Sequence, residues 1–440
     1  MAFIADNQTL EDLNIRGRYK SNSLYSIFNR TKTNGGGQLL DHMFQHPLTD
    51  EKEINRRSAI FQYFQEKAWE FPVDMDEFGI MENYLLSGGG QSWASNALQV
   101  ARRRGLKAMG LMQEYNLFNT GFYTAIRLLK DWHIFFTRLQ KEDAHHPLGK
   151  EMEAFQKVYS HQKLSWLLQP VTEGRLSGWQ VAGYDHLLRN VLHDDMKALL
   201  QLMYFIDLCI AVSDVARDKK FVYAEALPRP QRVIDIKDCR HPGLDKAIGN
   251  DLLLDQNSNM LFLTGANMAG KSTFMKSFGV AVYMAHMGFP VAAASMRFSV
   301  KDGIYSSINV PDNLDMGLSH FYAEVLRVKN VAEEVASKKD LLVIFDELFK
   351  GTNVKDAYDA TLAVSEAFSA YRNCAFIIST HIIEVGTVLM EKCNNLQFSY
   401  LPTIMDGQAP RYTYRMQQGI TSDRHGMMII ENEKILDIIG

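Results

Sequence analysis

The sequence has few cysteines and no excess of charge of one sign. Its 440 residues include four cysteines, which are too few for a disulfide framework and show no Cys-x-x-Cys spacing of a metal site. A reduced, cytoplasmic compartment fits this cysteine usage best. The formal net charge is −4, from 47 basic and 51 acidic residues. This balance excludes a strongly basic nucleic-acid coat protein, although it leaves room for a local basic patch.

Long apolar runs are also missing, which argues against a membrane-spanning chain. A span needs about 20 uninterrupted apolar residues. The best candidate, residues 278–296, is interrupted by His286, Gly288 and Pro290. The first residues have neither a basic start nor a long apolar stretch, so we expect no targeting segment and no membrane partner. With 46% hydrophobic and 22% charged residues, the composition is that of a globular protein.

The first half of the chain has the pattern of a helical assembly. Apolar residues recur at helical spacing, most clearly over residues 122–139 and 196–215, and proline is scarce inside these stretches. Glycine-rich breaks are expected at residues 34–37 and 87–90. The sequence therefore predicts an all-α domain over residues 1–225.

The second half predicts an α/β domain over residues 226–440. Short apolar runs alternate with helical patterns, and such runs are typical of strands buried on both faces of a parallel sheet. Four runs stand out, at residues 232–236, 259–264, 341–345 and 375–379. Two prolines, Pro228 and Pro230, mark the boundary between the predicted domains.

A phosphate-binding loop is the strongest motif in the sequence. Residues 265–272 read Gly-Ala-Asn-Met-Ala-Gly-Lys-Ser, a full match to G-x-x-x-x-G-K-[ST], between a predicted strand and a predicted helix. Glycines let the backbone wrap around phosphates, whose charge meets amide N–H groups and the helix N-terminus. Lys271 would reach the β- and γ-phosphates, and the Ser272 hydroxyl would ligate Mg²⁺. The motif predicts a site for ATP or ADP with Mg²⁺.

An acidic strand end follows downstream of the loop. The apolar run at residues 341–345 leads directly into Asp346 and Glu347. Asp346 would hold Mg²⁺ through water, and Glu347 is placed to polarise the attacking water. The adjacent carboxylates therefore predict ATP hydrolysis and not only binding. A third apolar run ends at Ser379, and we interpret the following His381 as a sensor of the γ-phosphate.

These motifs resemble those of the MutS mismatch-repair ATPases. The loop has the Asn-Met pair of that family at Asn267 and Met268, and residues 346–352 resemble the family's acidic strand and following turn. Residues 23–57 resemble the beginning of the family's helical lever region. The resemblance covers most of the chain, tightly over residues 237–426 and loosely over the first half. It implies an ABC-type ATPase domain that follows a helical lever.

The resemblance also implies a composite site in a homodimer that forms through the ATPase domains. Residues 316–324 resemble the segment that reaches into the other subunit's nucleotide site, so Ser319 is expected to act in trans on the γ-phosphate. Ala247 occupies a place where the family often has an aromatic residue on the adenine, and Ile248 is the expected substitute. The expected nucleotide-binding residues are Gly265, Ala266, Asn267, Met268, Ala269, Gly270, Lys271, Ser272, Thr273 and Ile248.

The resemblance has gaps that bear on the expected DNA partner. The chain begins almost at the lever, so we do not expect the mismatch-reading module, and the helical half looks short for a full DNA clamp. Branched or otherwise distorted DNA is then an expected ligand. Contacts to DNA phosphates are assigned to a basic cluster, with a solvated helix face as the equally weighted alternative. The cluster consists of Arg102, Arg103, Arg104 and Lys107.

Two functions remain open at this point. The first is a MutS-like ATPase that couples ATP binding and hydrolysis to DNA engagement in repair or recombination. The second is a nucleotide-gated protein-interaction switch, assembling with a longer repair protein, that never touches DNA. A transporter ATPase is disfavoured because no Leu-Ser-Gly-Gly-Gln signature precedes the acidic strand. The similar letters at residues 87–91 come before the phosphate loop, in the wrong order.

Overall fold

The computed structural model of the protein divides into two compact units. The sheet unit comprises Met1–Phe28, Met43–Ser58 and Val215–Gly440, and the helical unit comprises Asn29–His42 and Ala59–Asp214. The structure describes residues 2–17, 23–88, 92–108, 112–142, 147–169, 176–266, 268–308, 320–406, 409–421 and 438.

These units differ from the contiguous domains predicted from the sequence, 1–225 and 226–440. The first 28 residues and residues 43–58 belong to the sheet unit, although their sequence pattern is helical. Strand β1 (Ile4–Ala5) gives one reason, because it pairs in parallel with a strand of the central sheet. Apolar spacing reports the type of an element and not the core against which the element packs.

Helices dominate the described residues before residue 220. They are α1 (Asn7–Asp12), α2 (Leu24–Phe28), α3 (Asn34–Gln45), α4 (Glu51–Lys67), α5 (Met75–Leu86), α6 (Trp93–Ala108), α7 (Met112–Glu142), α8 (Glu153–Tyr159), α9 (Gly178–His186) and α10 (His193–Lys219). A 3₁₀ turn spans Gln162–Leu168 and a π-helical turn spans Leu187–Val191. The helical stretches predicted at 122–139 and 196–215 fall inside α7 and α10, which confirms them.

Aromatic side chains form the core of the helical unit around α5 and α7. Phe122, Trp132 and Phe136 of α7 are fully buried. Phe78 of α5 packs edge-on against Trp132, with ring centroids 6.4 Å apart. Buried rings of this size supply a large share of the hydrophobic driving force, so these two helices are held firmly together.

The glycine-rich run at residues 34–37 begins helix α3, whereas the sequence pattern predicted a break. A Cβ atom at Gly35 would lie 2.3 Å from the Tyr204 ring, and one at Gly36 would lie 2.5 Å from the Asp207 carboxylate. That carboxylate also accepts hydrogen bonds from two backbone N–H groups just before the helix. The glycines therefore allow the first turn of α3 to approach α10 closely.

Helix α10 is long and apolar enough to cross a bilayer by length and composition, and within the described residues it is the one helix to pass that test. Its most apolar window has a mean hydropathy of 1.7, but 78% of that window is buried inside the protein. A buried core helix passes the same test, so α10 is weak support for a membrane span. Residues 278–296, the candidate from the sequence, instead form the end of a helix and the strands after it.

Strands are concentrated in the second half of the chain. After β1 they are β2 (Val222–Tyr223), β3 (Glu225–Leu227), β4 (Ile234–Cys239), β5 (Asn250–Leu254), β6 (Met260–Gly265), β7 (Pro290–Val291), β8 (Ser295–Ser299), β9 (Gly303–Ser307), β10 (Leu341–Asp346), β11 (Ala375–Ser379), β12 (Leu396–Leu401), β13 (Thr403–Asp406), β14 (Ala409–Tyr412) and β15 (Gln417–Gln418). The helices among them are α11 (Lys271–His286), α12 (His320–Ala336), α13 (Val354–Ser369) and α14 (Ile383–Lys392).

A seven-stranded sheet forms the centre of the sheet unit, in the order β1-β9-β10-β11-β6-β12-β15. All neighbours from β1 to β12 pair in parallel, and β15 pairs antiparallel with β12. Every residue of β6 and β11 is buried. Three of the four strands predicted from apolar runs are therefore confirmed as the adjacent parallel strands β10, β11 and β6.

The fourth predicted strand, residues 232–236, was wrongly expected in the parallel sheet. It belongs to β4, which pairs antiparallel with β5 and β8 in a separate four-stranded sheet. Its Ile234 and Ile236 are buried, whereas Asp235 and Lys237 are more exposed. This alternation is typical of an antiparallel sheet with one buried face, and the sequence run is too short to distinguish the two cases.

Candidate functional site

The predicted phosphate loop connects β6 to α11 at the carboxyl edge of the central sheet, where the parallel strands β6, β10 and β11 end. Gly265 and Gly270 have φ angles of +143° and +104°, which L side chains rarely adopt. A Cβ atom at Gly270 would also lie 3.0 Å from the ring of Tyr414. Glycine is required at both positions because the loop turns tightly. Asn267 lies outside the described residues.

Lys271 begins helix α11 and folds back over the loop. It is 5% exposed, and its Nζ atom donates to the Gly265 and Ala266 carbonyls at 2.9 and 3.3 Å. Burial lowers the pKa of Lys271, and the Glu347 and Asp346 carboxylates offset part of this effect. A largely buried ammonium is stabilised by an anionic partner, so this position favours a ligand with phosphate oxygens.

Asp346 ends strand β10 between two hydroxyl groups. Ser272 Oγ donates to Asp346 Oδ2, and Ser379 Oγ donates to Oδ1, so each carboxylate oxygen has a hydroxyl donor. Ser379 is fully buried at the end of β11 and lies directly opposite Asp346 in the parallel pairing. Sequence reasoning missed this role of Ser379. The sequence feature that could have indicated this role is the position of Ser379 at the end of the predicted strand over residues 375–379.

Glu347 begins a turn with unusual backbone geometry. The φ angles of Glu347 and Phe349 are +52° and +62°, in the left-handed region that non-glycine residues seldom occupy. The Glu347 N–H donates to the Ser379 carbonyl at 3.0 Å, which continues the pairing of β10 with β11 past the end of the strand. Backbone strain of this kind costs about 1–3 kcal/mol per residue and concentrates at functional sites. The partly buried Glu347 is therefore held in place by its neighbour strand.

Helix α12 contacts the same acidic turn, which spans residues 347–351. Glu324 is buried and accepts a hydrogen bond from the Gly351 N–H at 3.4 Å. The rings of Phe321 and Phe349 pack edge-on with centroids 6.3 Å apart. Ser319 lies outside the described residues, so its predicted action in trans stays a prediction.

His381 follows strand β11 at the same carboxyl edge. Because β11 lies between β10 and β6, the chain after β11 emerges between the acidic turn and the phosphate loop. The Thr380 N–H donates to the Leu263 carbonyl at 3.2 Å, which keeps this segment beside β6. The side chain of His381 is exposed. The structure thus brings His381 to the edge that carries Lys271 and Glu347, and its sensor role stays a prediction.

A pocket of about 300 Å³ lies beside the phosphate loop. Its lining includes Gly270 and Thr273, the predicted Ile248, and Tyr414. Ile248 is 40% exposed and Tyr414 is 45% exposed, so both surfaces are open to a ligand. Tyr414 supplies an aromatic ring where Ala247 has none. Sequence reasoning placed Tyr414 only within the segment that resembles the MutS family and assigned it no role at this site, because it is far from the loop in the chain.

The basic cluster predicted to contact DNA lies on helix α6 of the helical unit. Arg102 is exposed. The side chains of Arg103, Arg104 and Lys107 lie outside the described residues. Contact of this cluster with DNA therefore stays a prediction.

The residues around Asp346 fit a bound Mg²⁺. The Ser272 hydroxyl and the Asp346 carboxylate are in hydrogen-bond contact, and both are the hard oxygen ligands that Mg²⁺ prefers. Mg²⁺ usually takes one or two protein carboxylates and completes its octahedron with phosphate oxygens and water. In the described part of the chain no group of three or more His, Cys, Asp or Glu side chains could hold a metal ion by itself.

Two family models match the chain. Residues 261–438 match MutS domain V, and residues 8–77 match MutS domain III. Similar curated proteins include the "DNA mismatch repair protein MutS" of Leuconostoc mesenteroides, which is 30% identical over 235 residues covering 51% of this chain and 26% of the relative. The proteins of the same name from Streptococcus sanguinis and Bacillus cytotoxicus are 28% and 27% identical over 55% of this chain. The matched region spans only 26–29% of the length of these relatives.

Proposed function

The chain belongs to the MutS family, and we propose that it binds ATP at the loop between β6 and α11 and hydrolyses it with the acidic turn after β10. The hydrogen bond between Ser272 and Asp346 carries this proposal, because it joins the loop to the acidic strand end across 74 positions of the chain. The two sequence motifs are thereby parts of one site. A parallel sheet with helices after its strands typically binds ligands at this carboxyl edge.

In the proposed mechanism, the backbone of the loop and the first turn of α11 hold the phosphates. Lys271 exchanges its bonds to the loop carbonyls for bonds to the β- and γ-phosphates, which gives its buried charge an anionic partner. The adenine lies in the neighbouring pocket, where Tyr414 and Ile248 offer an aromatic and an apolar surface.

Hydrolysis then depends on the groups at the ends of β10 and β11. The Ser272 hydroxyl would hold Mg²⁺ directly and Asp346 would hold it through water, and the bound ion would supply charge neutralisation for the phosphates. Glu347 orients the attacking water and accepts its proton, and the strained turn fixes the position of that carboxylate. His381 hydrogen-bonds to the γ-phosphate from the adjacent strand end.

The nucleotide site is tested with Lys271→Ala. We expect ADP and ATP to bind about 100-fold more weakly, because hydrogen bonds from a charged donor are worth about 1.5–3 kcal/mol each. Titration with a fluorescent nucleotide measures the Kd. The matched control is Lys392→Ala, which removes a half-exposed lysine from the same unit and should leave the Kd unchanged. A wild-type protein that binds no nucleotide would refute the proposal.

We further propose that ATP gates the engagement of DNA in repair or recombination. The family match and the exposed Arg102 favour DNA over the protein-interaction switch. The test is binding to single-stranded DNA, homoduplex, mismatched duplex and a four-way junction, with ADP and with a non-hydrolysable ATP analogue, over a range of salt. Affinity that depends on both nucleotide and DNA structure supports the proposal. Weak binding that is uniform and insensitive to nucleotide favours the protein-interaction switch.

A homodimer with composite sites is the proposed arrangement of the ATPase domains, and it rests on the resemblance at residues 316–324. Ser319 of each chain would contact the γ-phosphate in the other chain's site. The test mixes the Ser319→Ala and Lys271→Ala variants. Restored activity in the mixture, where one intact composite site can form, supports the dimer, and failure of mixed-site activity counts against it.

A further inference from the structure

The amino-terminal helix α1 completes the edge of strand β9 with its side chains. β1 pairs only with Gly303 and Ile304 of β9. Farther along the strand, the Ser306 N–H donates to Thr9 Oγ1 at 2.9 Å. Asp12, which is buried, accepts from Ser306 Oγ and from the Ile308 N–H at 2.8 and 2.9 Å. Among the described residues no strand pairs with this part of the β9 edge, and side chains of α1 supply the hydrogen bonds there instead.

Arg327 of helix α12 ties this edge together. Its guanidinium is largely buried and contacts Asp6 through both terminal nitrogens. Nη2 also donates to the Ser306 carbonyl at 2.6 Å and to Thr9 Oγ1 at 3.3 Å. Burial opposes ionisation of Asp6, but hydrogen bonds from Arg327 and Thr9 outweigh it and lower the pKa of Asp6. The planar Arg327 guanidinium thus joins α1, β9 and α12. The single ammonium group of a lysine could not make the same set of hydrogen bonds.

The same helix contacts the acidic turn. Glu324 and Arg327 are three residues apart and share one face of α12. Glu324 bonds to the Gly351 N–H, and Phe321, one turn earlier, packs on Phe349. A shift of α12 would therefore be transmitted to the turn that begins with Glu347.

We propose that the Asp6–Arg327 pair is a positioning element for ATP hydrolysis. By anchoring α12 to α1 and β9, it holds the acidic turn in the geometry that Glu347 needs, without touching the nucleotide. This inference rests on the proposed ATPase function. It predicts an effect on turnover and none on nucleotide binding, because the phosphate loop and the pocket beside it make no contact with the pair in the described residues.

The test compares Arg327→Met with Arg327→Lys, Asp6→Asn and a matched control. The control is Arg229→Met, which breaks the ion pair with Asp302 at the opposite end of β9. We expect Arg327→Met to lower kcat about tenfold, since small displacements of a catalytic group can cost up to about 100-fold. Nucleotide Kd should stay within about twofold, which marks a loss confined to the transition state. Arg327→Lys should recover part of kcat, and the control should leave it unchanged.

A purely structural role would not give the expected double-variant result. If Arg327 acts through Glu324, then Arg327→Met combined with Glu324→Gln should lower kcat no further than Glu324→Gln alone. Additive losses, an unchanged kcat in Arg327→Met, or an equal loss in Arg229→Met would overturn the proposal. Asp6→Asn replaces Arg327→Met if the latter does not fold, because Asp6 is one-third exposed.

The assays also separate this inference from the function on which it rests. Wild-type protein that turns over ATP at the same rate as Arg327→Met overturns only the positioning role. Wild-type protein that does not hydrolyse ATP refutes the proposed function, and the positioning role with it.

Discussion

The central sheet has a carboxyl edge, where its parallel strands end, and an amino edge, where they begin. Both carry ionisable side chains, but in different surroundings. At the carboxyl edge, Asp346 and Glu347 are only partly buried, and Asp346 accepts from side-chain hydroxyls. At the amino edge, Lys301 lies just before β9, and His286 at the end of α11 is in hydrogen-bond contact with it. Both side chains are buried. His286 Nδ1 donates to the backbone carbonyl of Leu48 at 2.8 Å, and its Nε2 accepts from the Lys301 N–H at 3.2 Å.

Solvent access distinguishes the carboxyl edge, where we propose the reaction, from the amino edge. Burial lowers the pKa of His286 to about 3, and it also lowers the pKa of Lys301, whose Nζ donates to a backbone carbonyl at 3.1 Å. Both residues are almost fully buried, with exposures of 0% and 3%. Lys271 has a lowered pKa for the same reason, but it lies beside an open pocket. A perturbed pKa therefore indicates function only where a ligand can reach the group.

The largest expected effect is at the carboxyl edge. Glu347→Gln should lower kcat about 1,000-fold, within the range of about 10²–10⁴ that a general base contributes. Nucleotide affinity should be retained, because the phosphate loop is intact. Steady-state turnover and a binding titration measure the two quantities. Glu366→Gln, at a half-exposed glutamate in the same unit, is the control. Retained turnover in Glu347→Gln would remove this residue from the mechanism.

At the amino edge, His286→Gln should change the pH dependence of stability and leave turnover intact. Unfolded histidine binds a proton below pH 6.5, whereas folded His286 stays neutral down to about pH 3. The wild type should therefore lose about 1.4 kcal/mol of unfolding free energy per pH unit from this group as pH falls through that window. Urea unfolding between pH 7.5 and 4 should show a shallower slope for the variant. Equal slopes, or a tenfold loss of kcat at pH 7.5, would contradict the comparison of the two edges.

The smallest expected effect tests whether the pocket beside the phosphate loop belongs to the nucleotide site at the carboxyl edge. Tyr414→Ala should weaken nucleotide binding about tenfold, since stacking of a base on an aromatic side chain is worth about 1–3 kcal/mol. Tyr412→Ala removes a ring 6.2 Å away that does not line the pocket, and it should leave the Kd unchanged. Equal effects of the two substitutions would mean that the pocket beside the loop does not receive the base.

Local motifs explain which parts of this site were predictable. The phosphate loop and the Asp346–Glu347 pair are contiguous in sequence, and each follows an apolar run that predicts a strand, so both could be placed at strand ends. The left-handed φ angles of Glu347 and Phe349 had no such signal. Their conformation depends on hydrogen bonds and packing from β11 and α12.

Long-range contacts explain what the sequence pattern could not predict. Ser379 and Tyr414 reach the site because β11 and the segment after β14 lie beside the loop, and no local motif assigned either of them a role there. Asp6 and Arg327 contact each other across 321 positions of the chain, and no spacing rule connects them. The glycines at the start of α3 were wrongly predicted to form a break. They allow close approach to α10, which is distant in sequence, and no local pattern shows that contact.

The sequence by itself determined the type of most long helices and buried strands, the family and the residues of the two contiguous motifs. These follow from backbone preferences, apolar periodicity and local chemistry, which act over a few residues. Only the tertiary structure decided that α1 completes the edge of β9, that β4 leaves the parallel sheet, and that Asp346 receives two hydroxyl donors. Each of these depends on which distant surfaces bury one another, and that choice minimises the free energy of the whole chain, not of any segment.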